Sequence, residues 1–291
     1  MNDNFAAFIL THGRPGNVKT YDTLIKCGYT GKIYIIIDNE DKTADEYRKR
    51  FKDKVVVFDK LAISKTFDTG NNFDDRRAVV YARNACWQIE KDLGIDYFLQ
   101  LDDDYTTFEY KFSPTLLFEQ KVVKDLDRLF SITLDYYKSI DAVSIAYAQG
   151  GDLFGGGKST NLKKLWLKRK CMNTWFCDTS KPFTFVGSMN EDFSTSVIIG
   201  NRGGLLFTMF NVAKNQLATQ AASGGMSELY LDSGTYLKSF YTVMYAPSCT
   251  KVYMMGGYGE TAHKRLHHKV SWENAVPCVI SEYHKKAEIN A

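Results

Sequence analysis

In the N-terminal third of the chain, unbroken apolar runs of strand length alternate with segments of helical periodicity, and this alternation constrains the fold more than any other feature. Phe5–Leu10, Ile33–Ile37 and Val55–Phe58 are apolar on successive residues rather than on every second one. Strands covered on both faces read this way, and they occur in parallel sheets flanked by helices. Between the first two, Val18, Tyr21, Leu24 and Ile25 share a helical face, with Asn17 as the expected cap and Gly28 as the stop. Ala44–Lys52 reads as a second helix and Lys60–Phe73 as irregular. A helix is expected over Arg76–Leu93, striped by Ala78, Ala82, Ala85, Cys86, Ile89 and Leu93 and ended by Gly94, with Ile95–Leu101 returning as a strand. Strict alternation predicts an α/β fold with a mostly parallel central sheet.

The second half is expected to hold a long helix over Gln120–Lys138, strands over Ala142–Ala148 and Leu205–Phe210, a glycine cluster from Gly150 to Gly157, and a helix over Leu229–Tyr241. No repeat or linker separates the halves, so residues 1–291 read as one two-lobed domain, 1–118 and 119–291. Hydrophobic residues make up 44% and charged residues 24%, which excludes a disordered or fibrous chain. A net charge of +3 excludes a uniformly basic binder and leaves room for one basic face. No apolar run approaches the ~20 residues that span a bilayer. Met1–Asn4 lacks the basic start and apolar stretch of a signal peptide, so a cytosolic protein without a membrane partner is expected. The six cysteines form no C-x-x-C pair and read as reduced core thiols.

Asp102-Asp103-Asp104 follows the Ile95–Leu101 strand directly. In open α/β sheets, ligands bind beyond the carboxyl ends of the strands. Adjacent carboxylates repel unless a cation offsets them, and Mg2+ and Mn2+ prefer carboxylate oxygens. Asp102 and Asp104, spaced i, i+2, reach the same side of an extended segment and make a metal–diphosphate clamp; the alternative is a solvated turn of aspartates. Asp38-Asn39-Glu40-Asp41 is a second loop of this kind, where Asp38 suits a ribose or pyrimidine edge or is simply polar. Thr11–Gly16 is a third, where Arg14 suits a phosphate. It is neither a Rossmann nor a P-loop motif, which argues against a dehydrogenase or a P-loop kinase. Arg83 and Asn84 fall off their helix stripe; without further context a solvated face explains them.

Taken in order, strand–THGRPG–helix, strand–IIIDNED, helix–ARNA and strand–LQLDDDY resemble GT-A-type glycosyltransferases. More narrowly, the opening ILTHGRPGNVKTYDTL and GYTGKIYIIIDNED resemble the TET/JBP-associated glycosyltransferases encoded largely by phages and kinetoplastids. Members are associated with sugars on hydroxymethylated pyrimidines in DNA. The resemblance implies a GT-A-like fold, with the nucleotide-sugar half first and the acceptor-binding, catalytic half second. It implies a D-x-D pair at Asp102 and Asp104 holding Mn2+ or Mg2+, with Asp104 the direct ligand. Thr11, Arg14, Asp38, Arg83, Asn84, Asp102 and Asp103 become donor contacts. Glu191-Asp192 resembles the acidic pair that starts a helix in many inverting members, where the second acid is the base; first-turn capping is the alternative. A late histidine often meets the metal in this fold; His263, His267 and His268 qualify, and His268 is preferred.

Lys163, Lys164, Lys168, Arg169 and Lys170 place five cations in eight residues without an acid, around Trp166. Such a run suits nucleic acid, where cations meet phosphates and rings stack on bases, or is a solvated loop. With the resemblance, it suggests DNA, with the adjoining glycine loop moving to admit an extruded base. The expected function is metal-dependent transfer of a sugar from a UDP-sugar to 5-hydroxymethylcytosine in phage DNA, with inversion. The alternatives are a transferase for polysaccharide or protein and a non-catalytic DNA-binding module. The sugar, the hydroxymethylated base and the oligomeric state are not legible.

Overall fold

The computed structural model describes residues 4–71, 76–153, 155–159, 169–217, 236–255 and 265–275. Strands β1 (Phe5–Leu10), β2 (Lys32–Asp38), β3 (Val55–Phe58) and β4 (Tyr97–Asp102) lie in the order β3-β2-β1-β4, all parallel. Helices α1 (Lys19–Lys26), α2 (Ala44–Phe51), α3 (Lys60–Ser64) and α4 (Val80–Leu93) make the connections. Every residue of β1 is buried, as its unbroken apolar run requires. Phe5, Ala7 and Ile9 enter a core with Leu24, Tyr47 and Phe51; Ala6, Phe8 and Leu10 enter the opposite core with Val80, Ala85, Cys86 and Ile89. Each large side chain so buried contributes ~1.5–3 kcal/mol. Gly28 ends α1 at a φ of 81°, where a Cβ would stand 2.5 Å from the Lys124 carbonyl oxygen.

The chain continues through β5 (Tyr105–Phe112), β6 (Phe118–Val122), α5 (Leu126–Ser139), β7 (Ala142–Gln149), β8 (Thr174–Asp178), α6 (Glu191–Asn201) and β9 (Leu205–Gln216). These strands extend the sheet as β4-β8-β7-β9-β5-β6. β5 and β8 run against the other seven strands of this nine-stranded sheet, so it is mixed but mostly parallel, as expected. A separate hairpin, β10 (Thr250–Met255) with β11 (Arg265–Val270), packs on α7 (Lys238–Tyr245), and α8 (Trp272–Ala275) packs on α6.

Several boundaries differ from the sequence reading. The helix expected from Gln120 starts at Leu126, because Phe118–Val122 pairs with β5 and the Asp125 carboxylate caps the helix from Arg128 N at 2.9 Å. The helix expected from Arg76 begins at Val80, and the supposedly irregular segment opens with α3, capped by Asp59. β9 runs on past Phe210: its register with β7 shifts between Tyr147 and Ala148, and the end of the strand turns alongside β5. Most of the helix expected over Leu229–Tyr241 lies outside the described residues.

The topology locates a crevice. β2 lies on one side of β1 and β4 on the other, so the chain reverses its direction of sheet growth at β1 and β4. Ligands bind at such a switch point, beyond the carboxyl ends of the two strands. Leu10 and Asp102 are register partners there, so Thr11 and the aspartate triplet emerge side by side.

Candidate active site

The loop after β1 and the triplet are knotted together. Thr11 Oγ1 donates to Asp103 Oδ2 at 2.6 Å, so it accepts from Tyr47 Oη at 2.9 Å, and Tyr47 in turn accepts from Arg14 N at 2.8 Å. The Arg14 guanidinium pairs with Asp103 at 3.1 Å. Asp103 and Thr11 are buried, with their side-chain oxygens engaged within the protein. Arg14 differs: its Nε is buried and has no partner among the described residues.

Arg83 crosses the crevice floor. Its Nη2 donates to Asp102 Oδ1 at 3.0 Å and its Nε to Glu191 Oε1 at 3.0 Å. Burial opposes its charge, but Asp102 and Glu191 hold it protonated. Burial raises the Glu191 carboxyl above its ordinary range, and Arg83 offsets only part of this. Arg83 Nη1 remains buried without a partner among the described residues. Asn84, expected to touch the donor, instead clamps the backbone of Phe185: Nδ2 donates to its carbonyl and Oδ1 accepts from its N–H, both at 2.9 Å. Both ends of the amide are engaged with Phe185 in the structure.

Asp38, also expected to touch the donor, meets internal partners. It is 4% exposed, with His12 Nδ1 at 2.7 Å, Lys60 Nζ at 3.2 Å and Glu40 N at 3.1 Å on its two oxygens. Burial would raise its carboxyl, but the His12 hydrogen bond and the Lys60 charge hold it below its ordinary value. His12, its partner, is half-exposed.

Asp192 opens α6 with its Oδ2 on Lys170 Nζ at 2.9 Å and its Oδ1 on Phe193 N at 2.8 Å. Burial opposes ionisation, yet the Lys170 ammonium holds the carboxyl below its ordinary range. A carboxylate at a helix start, kept anionic at neutral pH, has the state a general base requires. Glu191 faces Arg83 instead and supports the turn from below.

Asp104 is the aspartate left over. Its Oδ1 is buried without a partner among the described residues. Burial, then the charges of Asp102 and Asp103, push its pKa up to about 6. An unsatisfied carboxylate oxygen beside two further carboxylates fits a hard divalent cation. Among the described residues no three acidic, histidine or cysteine side chains gather into a metal cage, so such an ion would take its remaining ligands from diphosphate oxygens and water. His268 does not join this set. It packs edge-on against Phe193 with ring centroids 4.0 Å apart, and Asn190 faces its Nδ1.

A family model described as TET-Associated Glycosyltransferase matches residues 5–225, well over half of the 291-residue chain. The chain belongs to the TET-associated glycosyltransferase family. No curated protein matches its sequence. Among solved structures it is similar to glucosyl-3-phosphoglycerate synthase from Mycobacterium tuberculosis. In complex with Mn2+, UDP-glucose and phosphoglyceric acid, the likeness covers 90% of this chain and 86% of that one at 8% identity and a TM-score of 0.47. For the complex with UDP, the shares are 95% and 91% at 9% identity and a TM-score of 0.47.

Within the family site, the basic run divides. Lys163, Lys164, Trp166 and Lys168 lie outside the described residues. Arg169 and Lys170, expected to bind DNA, are turned inward: the Arg169 guanidinium grips Asp152 Oδ1 with Nε at 2.9 Å, and Lys170 holds Asp192. Buried acids pair with both cations. Asp152 also accepts from Gln149 N at 2.9 Å, so the described part of the glycine loop is pinned at its start.

Lys214, on the last stretch of β9, was missed by the sequence reading. Its ammonium is buried over the Tyr105 ring, 4.4 Å from the centroid, and donates to Gln216 Oε1. Burial lowers its pKa to about 8, against the opposing charges of Asp102 and Asp104. Arg83 and Lys214 are thus two buried cations in the field of the triplet. Nothing in NVAKNQ marks this lysine, because the bulge that aims it is set by pairing with β5 and β7.

Proposed function

We propose that the protein transfers a sugar from a UDP-sugar to the hydroxyl of 5-hydroxymethylcytosine in DNA, with inversion at the anomeric carbon. The observation that carries this reading is the set of buried polar atoms at the switch-point crevice that have no partner among the described residues: Arg14 Nε, Arg83 Nη1 and Asp104 Oδ1. Buried polar groups in folded proteins are normally paired, so such a set marks groups that a ligand satisfies. Two guanidinium donors and one carboxylate oxygen suit a diphosphate with a divalent cation.

Asp104, with Asp102, would hold Mn2+ or Mg2+, which when bound neutralises charge on a leaving diphosphate. The protein's own groups do the rest. Arg14 and Nη1 of Arg83 bind diphosphate oxygens, and Lys214 adds positive charge to the same field. His12, steadied by Asp38, borders the same loop. Asp192, kept anionic by Lys170, takes the proton of the attacking hydroxyl, while Arg83 and Glu191 fix the floor between base and donor. One displacement from the face opposite the diphosphate inverts the anomeric centre.

The DNA acceptor is supported by membership of the family and by the lysines of the basic run. A second reading, a polysaccharide or protein acceptor, is favoured by the inward turn of Arg169 and Lys170. Mass spectrometry of nucleosides from hydroxymethylcytosine DNA, incubated with the protein, Mn2+ and a panel of UDP-sugars, decides between them. A glycosylated nucleoside is the expected product. Donor turnover without any modified nucleoside shifts the reading to the second acceptor class, and no donor turnover at all refutes the transferase mechanism.

A further inference from the structure

The hydrogen bonding around His268 fixes which of its ring nitrogens carries the proton. Asn190 stands at the start of α6 in a left-handed conformation, with a φ of 60°. Its Nδ2 lies 3.2 Å from the Lys238 carbonyl oxygen, 3.0 Å from Thr242 Oγ1 and 3.2 Å from His268 Nδ1. A peptide carbonyl only accepts, so the amide must present its NH2 end there. An amide NH2 does not accept, so the Nδ1 it faces bears a lone pair and no proton. Burial, with His267 and Lys170 adding to it, drives the His268 pKa down to about 3, so the ring is neutral. A neutral imidazole carries one proton, and here it sits on Nε2.

That Nε2–H has no acceptor among the described residues. His268 is 6% exposed, and its Nε2 is buried without a partner among the described residues. A ring nitrogen that carries a proton is a donor. What the atom lacks is an oxygen.

Its surroundings say where that oxygen would come from. The Phe193 ring holds His268 edge-on at 4.0 Å and carries the Lys170 ammonium 4.5 Å from its centroid. Lys170 is the cation bound to Asp192. Through that ring, His268 lies next to the cation that holds the carboxylate assigned as base.

We propose that His268 is an acceptor-binding residue, whose Nε2–H donates to an uncharged oxygen of the acceptor substrate beside Asp192, and that Asn190 is the positioning residue that sets its tautomer. The proposal rests on the reading of Asp192 as the base. It adds a direct donor to the acceptor side, where the carboxylate alone would not fix the orientation of the incoming group. A hydroxyl or carbonyl oxygen suits a neutral N–H.

Two measurements on the full chain test it. The imidazole tautomer is read from long-range 15N–1H NMR spectra of protein labelled at histidine, with the His268 signal assigned by its loss in His268→Gln. The expected result is an Nε2–H tautomer that neither titrates between about pH 5 and 8 nor shifts on adding Mg2+. An Nδ1–H tautomer, or a shift of Nε2 on adding Mg2+, overturns the proposal. In Asn190→Asp, a carboxylate facing Nδ1 reverses the tautomer, and an unchanged spectrum overturns the positioning role. In kinetics, His268→Leu is expected to raise the acceptor KM about 10- to 100-fold, whereas His268→Gln, which keeps an N–H at that place, stays within about 3-fold. Equal losses in the two variants, or a loss confined to the donor KM, overturn it. If the parent protein glycosylates no DNA, the acceptor reading falls while the NMR result still decides the tautomer.

Discussion

Replacing Arg83 with methionine removes the charge that serves Asp102 and Glu191 together while keeping an unbranched stem in its place. Both carboxylates bond the guanidinium at 3.0 Å, and Glu191 is 7% exposed. Removing one partner from a buried ion pair costs about 3–5 kcal/mol. A second route gives a similar size. Glu191 left alone would take up a proton rather than remain a buried anion. From an ordinary glutamate pKa of about 4.3, that uptake costs about 1.4 kcal/mol per pH unit, or about 3.7 kcal/mol at pH 7 and about 1 kcal/mol at pH 5. The sign follows from proton counts: the folded variant holds a proton that the unfolded chain releases above about pH 4.3, so stability falls as pH rises. Arg83 offsets part of the same burial in the parent, whose slope is therefore shallower. Adding Glu191→Gln removes the titrating group, so the double variant recovers most of the loss and flattens the profile. Urea unfolding with linear extrapolation, run across about pH 5 to 8, measures all three proteins. A deficit that does not change with pH, or a double variant no more stable than the single one, refutes the reasoning.

Other outcomes are expected from the same geometry. Lys170→Met releases Asp192, raising its pKa; the acid limb of the kcat/KM profile moves to higher pH and kcat falls about 100-fold or more, read by a donor-turnover assay across pH. Mn2+ raises the Tm of the parent, because a ligand of the folded state alone stabilises it, and Asp104→Asn abolishes that shift in a thermal-melt titration. Gly28→Ala sets a Cβ against the Lys124 carbonyl in a left-handed conformation and destabilises by about 1–3 kcal/mol in denaturant unfolding, leaving donor KM unchanged.

The parallel half of the sheet was legible because doubly buried strands write themselves as unbroken apolar runs, and the position of the aspartate triplet followed from the end of β4. β5 was not legible. YTTFEYKF mixes polar and apolar residues, and its place is decided by β9, far along the chain. The helix boundary at Leu126 failed for the same reason, since Phe118–Val122 is held extended by pairing with β5. At the site, the sequence marked which residues matter better than what each touches. Arg83, Asp102, Glu191 and Asp192 come together as the resemblance implied. Asp38, Asn84, Asp103, Arg169 and Lys170 look ready for a ligand in one dimension, yet each meets an internal partner. Which acid a given cation finds is settled by contacts between distant segments, and local composition does not encode it.

The pairing of β5 with β9 also bears on how the chain is made. Tyr110 lies opposite Val212, so β5 leaves the ribosome 102 residues ahead of the strand that completes it. At ~5–20 residues per second, that is roughly 5–20 s of synthesis during which the inner edge of β5 has no permanent neighbour. The β1–β4 unit can close early from local connections, while the strand that carries the triplet's exit path waits. A fragment cut after residue 118 would keep that edge exposed for good and would be expected to aggregate instead of yielding a separable donor-binding half.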